Sequence, residues 1–207
     1  LAEVLHEHGW RTAAIVANNA FLHHSFGLDR GFERYDDRDA AWTNKYLALA
    51  QFAGFAPRTG HILFRDGGTI TDLALRWLDG AGERPFFLML NYMDAHQPHI
   101  PEEHHAARFS DARPRDAQNP KRELWSLLYD RCLLDLDQHV GELLDRLDRR
   151  GRLENTAVII TSDHGEALGD HHHWNHAWTP YEELIHVPLY VAPPRTSGGR
   201  VRASDDT

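Results

Sequence analysis

Cysteine is nearly absent from this sequence, with Cys132 alone among 207 residues. That excludes an internal disulfide framework and any zinc site built from thiolates. Long apolar runs are missing too: nothing approaches the ~18 consecutive apolar residues of a membrane-spanning helix. Basic residues are scarce. Twenty-two Lys and Arg against 31 Asp and Glu give a net charge of −9 with histidines neutral. No Lys/Arg stripe offsets that charge, which excludes a nucleic-acid surface. His172 and His176 stand four apart, but no Glu follows the first, so the His-Glu-x-x-His helix of zinc proteases is absent. There is no internal repeat, no low-complexity tract and no visible signal peptide. The chain opens at Leu1 inside a predicted helix, without Met or a capping residue, and stops just after a turn. It is therefore expected to be an excerpt of a longer chain. A single cysteine suits cytoplasm and periplasm alike, so the compartment stays open.

Hydrophobic residues at 42% and charged residues at 26% are ordinary globular values. The length allows one α/β domain with a real core, or part of a larger one. Histidine is the anomaly. Of 16 histidines, four fall between His96 and His105 and five between His164 and His176. Imidazoles clustered in this way point to a metal or anion site rather than to random surface scatter.

Apolar strands alternate with helices along the chain. Leu1 to His8 reads as a helix closed by Gly9, and Thr12 to Val16 as a strand. Residues 20–68 carry no clear period. Thr69 to Leu78 reads as helix and Pro85 to Tyr92 as a continuous apolar strand. Residues 97–120, rich in proline, are expected to form a surface loop. Asn119-Pro120 combines an N-cap with proline at the first helical position. The helix from there to about Arg150 repeats Trp125, Leu128, Cys132, Leu136, Val140, Leu143 and Leu147 on one stripe. Cys132 on that stripe is expected to be a core residue, not a nucleophile. Ala157 to Thr161 and Val187 to Ala192 complete the strands. The alternation predicts an α/β fold with a mostly parallel sheet covered on both faces.

The most informative segment is Ser162-Asp163-His164-Gly165-Glu166, directly after the β-branched run Ala157 to Thr161. That run reads as a buried parallel strand, and ligands gather beyond the carboxyl ends of such strands. Adjacent Asp163 and His164 can both reach one divalent cation, while Gly165 lets the backbone turn. The bland reading is an Asp capping the next helix beside an unrelated surface His. His96 follows the strand Pro85 to Tyr92, with Pro98 restraining the chain after it. If that strand runs parallel to Ala157–Thr161, His96 emerges on the same rim. The loop Glu166 to His176 is dense in imidazole and could wall a metal site and bind an anion, with at least one of His171 to His173 simply solvated.

Taken together, several segments resemble the sulfatase branch of the alkaline-phosphatase-like superfamily. They are Leu1-Ala-Glu-Val-Leu-x-x-x-Gly9, Gly27-Leu-Asp-Arg-Gly-Phe32, His96-x-Pro98, Leu143-Leu-Asp-x-Leu147, Asn155-Thr-x-Val-Ile-Ile-Thr-Ser-Asp-His-Gly165-Glu and Tyr181-Glu-Glu-x-x-x-Val-Pro188-Leu. They fall in the family's order and cover most of residues 1–194. The resemblance implies a partial α/β/α sandwich, with residues 1–207 as the central portion of one incomplete catalytic domain. It implies that Asp163 and His164 ligate one divalent metal, and that His96 contacts the ester near its leaving-group oxygen. It places His176 at the anion-binding position where many sulfatases carry Lys. The implied metal is Ca²⁺ by family habit, with Mn²⁺, Mg²⁺ or Zn²⁺ open because an imidazole ligand is unusual for calcium.

The family's nucleophile sits in a Cys/Ser-x-Pro-x-Arg segment, or is a Thr in phosphoglycerol transferases and phosphatases. Neither Cys132 nor any serine here is followed by x-Pro-x-Arg. The leading expectation is part of a metal-dependent sulfuric-ester hydrolase acting on a small-molecule or glycan sulfate ester. In it the nucleophile lies upstream, and residues 1–207 are inactive unaided. The alternatives are a phosphate-ester or phosphonate hydrolase or phosphoglycerol-type transferase of the same superfamily, and a non-catalytic relative.

Overall fold

The computed structural model describes residues 1–19, 21–38, 64–101, 119–176 and 179–197. The chain folds as two compact units. One comprises Leu1–Ala112 with Leu127–Leu143, the other Arg113–Ser126 with Leu144–Thr207.

The first unit is organised by β1 (Arg11–Val16), which lies between β2 (Arg34–Asp36) and β3 (Phe86–Asn91). All three strands are parallel, with Ala14 opposite both Tyr35 and Met89. β1 is the centre of the core, and Ala13, Ala14, Ile15 and Val16 are fully buried. A central strand flanked on both sides and covered by helices has no polar face to show, which explains its unbroken apolar run. Helix α1 (Ala2–Glu7) leads into β1. Gly31 closes on α1 so tightly that a Cβ there would lie 2.2 Å from the Glu3 nitrogen.

Helix α2 (Gly67–Gly80) buries Ile70, Ala74, Leu75, Trp77 and Leu78. Asp66 caps it by accepting the Thr69 N–H at 2.8 Å. The start of α2 admits only small residues. A Cβ on Gly67 would meet the His139 ring at 2.7 Å and the Asp94 carboxylate at 2.8 Å.

An arginine ties the carboxyl ends of β1 and β2 together. The buried Arg65 donates to the Val16 carbonyl at 3.0 Å and to Asp36 Oδ1 at 2.9 Å. Asp36 also accepts from Arg34 at 2.7 Å and from Arg38 at 2.6 Å. Burial opposes ionisation of Asp36, but Arg38, Arg34 and Arg65 outweigh it and hold its carboxyl well below the usual range.

Helix α3 (Pro120–Arg149) begins as expected, with Asn119 Oδ1 accepting the Arg122 N–H at 3.1 Å and Pro120 in the first turn. Its inward face is rotated from the apolar stripe. Cys132, Asp135, His139, Leu143 and Leu147 are buried, whereas Trp125, Leu128, Leu136 and Val140 are not all enclosed: Trp125, Leu128 and Leu136 are half-buried and Val140 likewise. Asp135 and His139 carry polar atoms, so a hydropathy pattern does not register them as core. Cys132 is buried as expected, and burial pushes its thiol up to about 12.

In the second unit, β4 (Val158–Thr161) pairs with β7 (Leu189–Ala192), and β5 (Ala167–Leu168) with β6 (Trp174–Asn175). Both pairs are antiparallel. The expectation of a buried parallel strand at Ala157–Thr161 is therefore corrected. Ile159 is 66% exposed, and among the described residues no strand other than β7 joins β4. β-Branched residues signal strand propensity, whereas burial and direction depend on what packs alongside. β3 and β4 consequently belong to different sheets.

The Asp36 cluster makes a stability prediction. Asp36→Ala leaves Arg65 buried without its carboxylate and is expected to cost about 3–5 kcal/mol. Chemical denaturation measures this, and an unchanged midpoint would refute it. Because the native carboxyl titrates below its unfolded value of about 3.9, its stabilisation is complete above that pH. It is lost as pH falls toward the native value, so the wild-type and variant denaturation midpoints should converge in acid.

Candidate active site

β4 ends at Thr161 and delivers Ser162, Asp163 and His164 in succession. Local hydrogen bonds fix the turn. Ser162 Oγ donates to the His164 carbonyl at 2.6 Å, and the His164 N–H donates to Asp163 Oδ1 at 3.1 Å. His164 Nδ1 donates to the Gly165 carbonyl at 2.8 Å, which places the imidazole lone pair on Nε2. That nitrogen lies 3.9 Å from Asp163 Oδ1, and the Asp163 side chain is 88% exposed. One carboxylate oxygen and one imidazole nitrogen thus stand side by side at the strand end.

His176 completes the cluster. Its ring stacks on His164 with centroids 4.3 Å apart and planes 23° from parallel. His176 Nδ1 is also 3.4 Å from the Glu166 Oε2, whose carboxylate is almost fully buried. Burial lowers the His176 pKa, His164 pushes it the same way, and Asp163 opposes both. The ring is accordingly held toward its neutral form. Glu166 orients it, a role the sequence reading missed, although Glu166 stands directly beside Gly165 in the motif.

Gly165 is required by proximity, not by a left-handed backbone. Its N–H donates to the Leu184 carbonyl at 2.8 Å. A Cβ there would lie 2.0 Å from the Glu183 carbonyl oxygen. This contact sets the turn against α4 (Glu182–Ile185).

The histidine-rich loop is held at its base and exposed at its tip. Trp174 packs edge-on against Trp125 at 5.1 Å, with the Lys121 ammonium 3.9 Å from the Trp174 ring centre. Arg122 pairs with Asp170. His171, His172 and His173 are all exposed, in keeping with the expectation that at least one of them is simply solvated. His171 stacks on Tyr181 at 4.2 Å and meets Glu183 at 3.0 Å. His171, His172 and Asn175 all adopt positive φ, a conformation that costs energy in residues other than glycine and recurs beside functional sites.

Asp163, His164 and His176 therefore come together in the second unit. His96 lies in the first, beyond the carboxyl end of β3. Its Nδ1 donates to the Gln97 carbonyl at 2.6 Å, and Phe64 packs edge-on against it at 5.0 Å. The half-buried Asp94 anchors this segment by accepting the Gly67 N–H at 2.8 Å.

The family model described as Sulfatase matches residues 1–205. The chain belongs to the sulfatase family. Among curated proteins it is similar to the multifunctional alkaline phosphatase superfamily protein PehA of Trinickia caryophylli. The two are 25% identical over 203 residues, covering 79% of this chain and 40% of that protein. Among solved structures it resembles the putative sulfatase yidJ from Bacteroides fragilis, with a TM-score of 0.65 and 17% identity, covering 94% of this chain and 49% of that one. The phosphonate monoester hydrolase of Agrobacterium radiobacter gives a TM-score of 0.63 at 16% identity, covering 94% of this chain and 52% of that one. These structural likenesses establish the alkaline-phosphatase-like α/β fold. The chain spans about half or less of the length of each of these proteins.

Gly165→Ala is expected to cost about 1–3 kcal/mol through overpacking, because the obstructing atom is a backbone carbonyl. Urea denaturation checks this, and a neutral result would mean that α4 yields freely.

Proposed function

We propose that this chain forms the metal-ligating and leaving-group side of a sulfuric-ester hydrolase. The observation that supports this best is the Asp163–His164 donor pair at the end of β4, with His176 stacked on the same imidazole. A carboxylate oxygen and an unprotonated imidazole nitrogen fit a divalent cation as two of its ligands. Such an ion, when bound, would stabilise negative charge on the ester oxygens. The family's habit favours Ca²⁺, while the His164 ligand keeps Mn²⁺, Mg²⁺ and Zn²⁺ in contention.

The remaining roles fall to this chain's own side chains. His176, half-buried, donates to Glu166 through Nδ1–H, so its Nε2 hydrogen-bonds the ester oxygens in the protonated form, which the negative charge of the bound ester favours. His96 carries the proton for the leaving-group oxygen, with its Nδ1 already committed to the Gln97 carbonyl so that Nε2 is the working atom. The nucleophile comes from another part of the protein, since no Cys/Ser-x-Pro-x-Arg segment occurs in residues 1–207 and Cys132 is buried in the core. The substrate class is a small-molecule or glycan sulfate ester.

Two observations favour a second reading, hydrolysis of phosphate or phosphonate esters. His176 supplies an imidazole where a permanent cation would suit sulfate, and a phosphonate monoester hydrolase shares the fold.

In the full-length protein, Asp163→Asn is expected to lower metal affinity by more than about 10-fold and kcat/KM by at least about 100-fold. Metal content and turnover of aryl sulfate, phosphate and phosphonate esters would be measured together. Retention of both metal and activity would sink the ligand assignment. A preference for the phosphorus esters would select the second reading.

A further inference from the structure

We propose that His23, His24 and Asp37 form a second cation site, specific for first-row divalent ions of the Zn²⁺ class. One donor atom from each lies within 4.8 Å of the other two. No other such triad of His, Cys, Asp or Glu occurs among the described residues. It shares no residue with the Asp163–His164 pair.

Each donor is placed by the fold of the first unit. Asp37 directly follows β2 and the Arg65-anchored Asp36, and its carboxylate is about nine-tenths buried. His23 and His24 belong to the turn that follows β1, so all three stand at the carboxyl edge of the parallel sheet. The His24 backbone N–H donates to Asp37 Oδ2 at 2.7 Å, and His24 Nδ1 is 2.8 Å from the same oxygen. Asn19 Nδ2 donates to the Asp37 carbonyl, holding the backbone at that point.

A simple Asp–His hydrogen bond accounts for His24 but not for His23. His23 Nε2 lies 3.9 Å from Asp37 Oδ2, beyond hydrogen-bond range, yet its ring is packed over His24 with centroids 4.0 Å apart. Its other nitrogen, Nδ1, meets the Ser25 hydroxyl at 2.8 Å. Nδ1 also accepts the Ser25 N–H at 3.2 Å, so the ion-free ring carries its proton on Nε2, and an ion bound there displaces that proton to Nδ1, where the Ser25 hydroxyl accepts it. An outer contact that takes the second ring proton is typical of ligating histidines. Two imidazoles with one carboxylate suit Zn²⁺, Mn²⁺, Fe²⁺ or Co²⁺ and do not suit Ca²⁺ or Mg²⁺, which prefer all-oxygen shells. A bound ion would clamp the segment after β1 to the end of β2.

The test uses full-length protein carrying Asp163→Ala, which removes an exposed ligand of the proposed catalytic metal and leaves this triad intact. Zn²⁺ is titrated calorimetrically, and Co²⁺ is titrated by its visible absorption. One Zn²⁺ per chain should bind, with a Co²⁺ spectrum showing nitrogen ligation and a Tm raised by the metal. Adding His23→Ala and His24→Ala should weaken binding by at least about 100-fold, more than the loss of outer contacts alone, and abolish the thermal shift. Both rings are partly exposed, at 36% and 56%, so the metal-free Tm should barely change. Should the double variant fail to fold, His23→Ala alone is read in the same way. The proposal is overturned if the Asp163→Ala protein takes up no Zn²⁺, or if removing the imidazoles leaves affinity and thermal shift unchanged.

Discussion

The buried contact between Arg65 and Asp36 is what the first unit depends on. Three parallel strands end on one edge, and the last carbonyl of β1 is met there by a side chain. Arg65 supplies the donors, bonding the Val16 carbonyl and the Asp36 carboxylate from one planar guanidinium. A buried guanidinium is costly unless its fork is filled, so the geometry of both strand ends is fixed together. Asp37 is the next residue, and its carboxylate inherits that position. Asp94 and His96 follow β3 at the same edge, so the ion pair sits on the rim that carries every polar group of this sheet with a proposed role.

The second unit achieves rigidity differently. It has little sheet and relies on close backbone approach and aromatic packing. Gly165 against Glu183 and Leu184 sets the turn that presents Asp163 and His164. Trp174, pressed between Trp125, Lys121 and Gly169, fixes the loop that returns with His176. The two imidazoles then stack, and Glu166 backs the second. Three positive-φ residues in this loop mark where the chain accepts local strain to hold that arrangement.

Much of this was legible in the sequence where local chemistry and outcome coincide. β1, β3 and the long helix α3 were marked by apolar runs, period and the Asn119-Pro120 cap, and their observed boundaries differ by only a residue or so. Asp163 and His164 were marked by the motif after the strand and His176 by the family resemblance, and the three do converge. The polar core of α3 was not legible, because Asp135 and His139 are buried through partners that no hydropathy pattern encodes. Nor was the direction of β4, whose β-branched residues specify a strand without specifying its neighbour. The His23-His24 doublet lay in a stretch without period, and its relation to Asp37 spans a chain reversal.

The sequence alone determined the family, the α/β alternation, the capping of α3 and the identity of the Asp163–His164 pair, because each rests on residues close together along the chain. Only the tertiary structure decided that Glu166 backs His176, that Gly165 is needed for clearance, and that Arg65 joins two strand ends. It alone brought His23 and His24 to Asp37. Those outcomes depend on atoms brought within a few ångströms by packing, and separation along the chain carries no record of that distance.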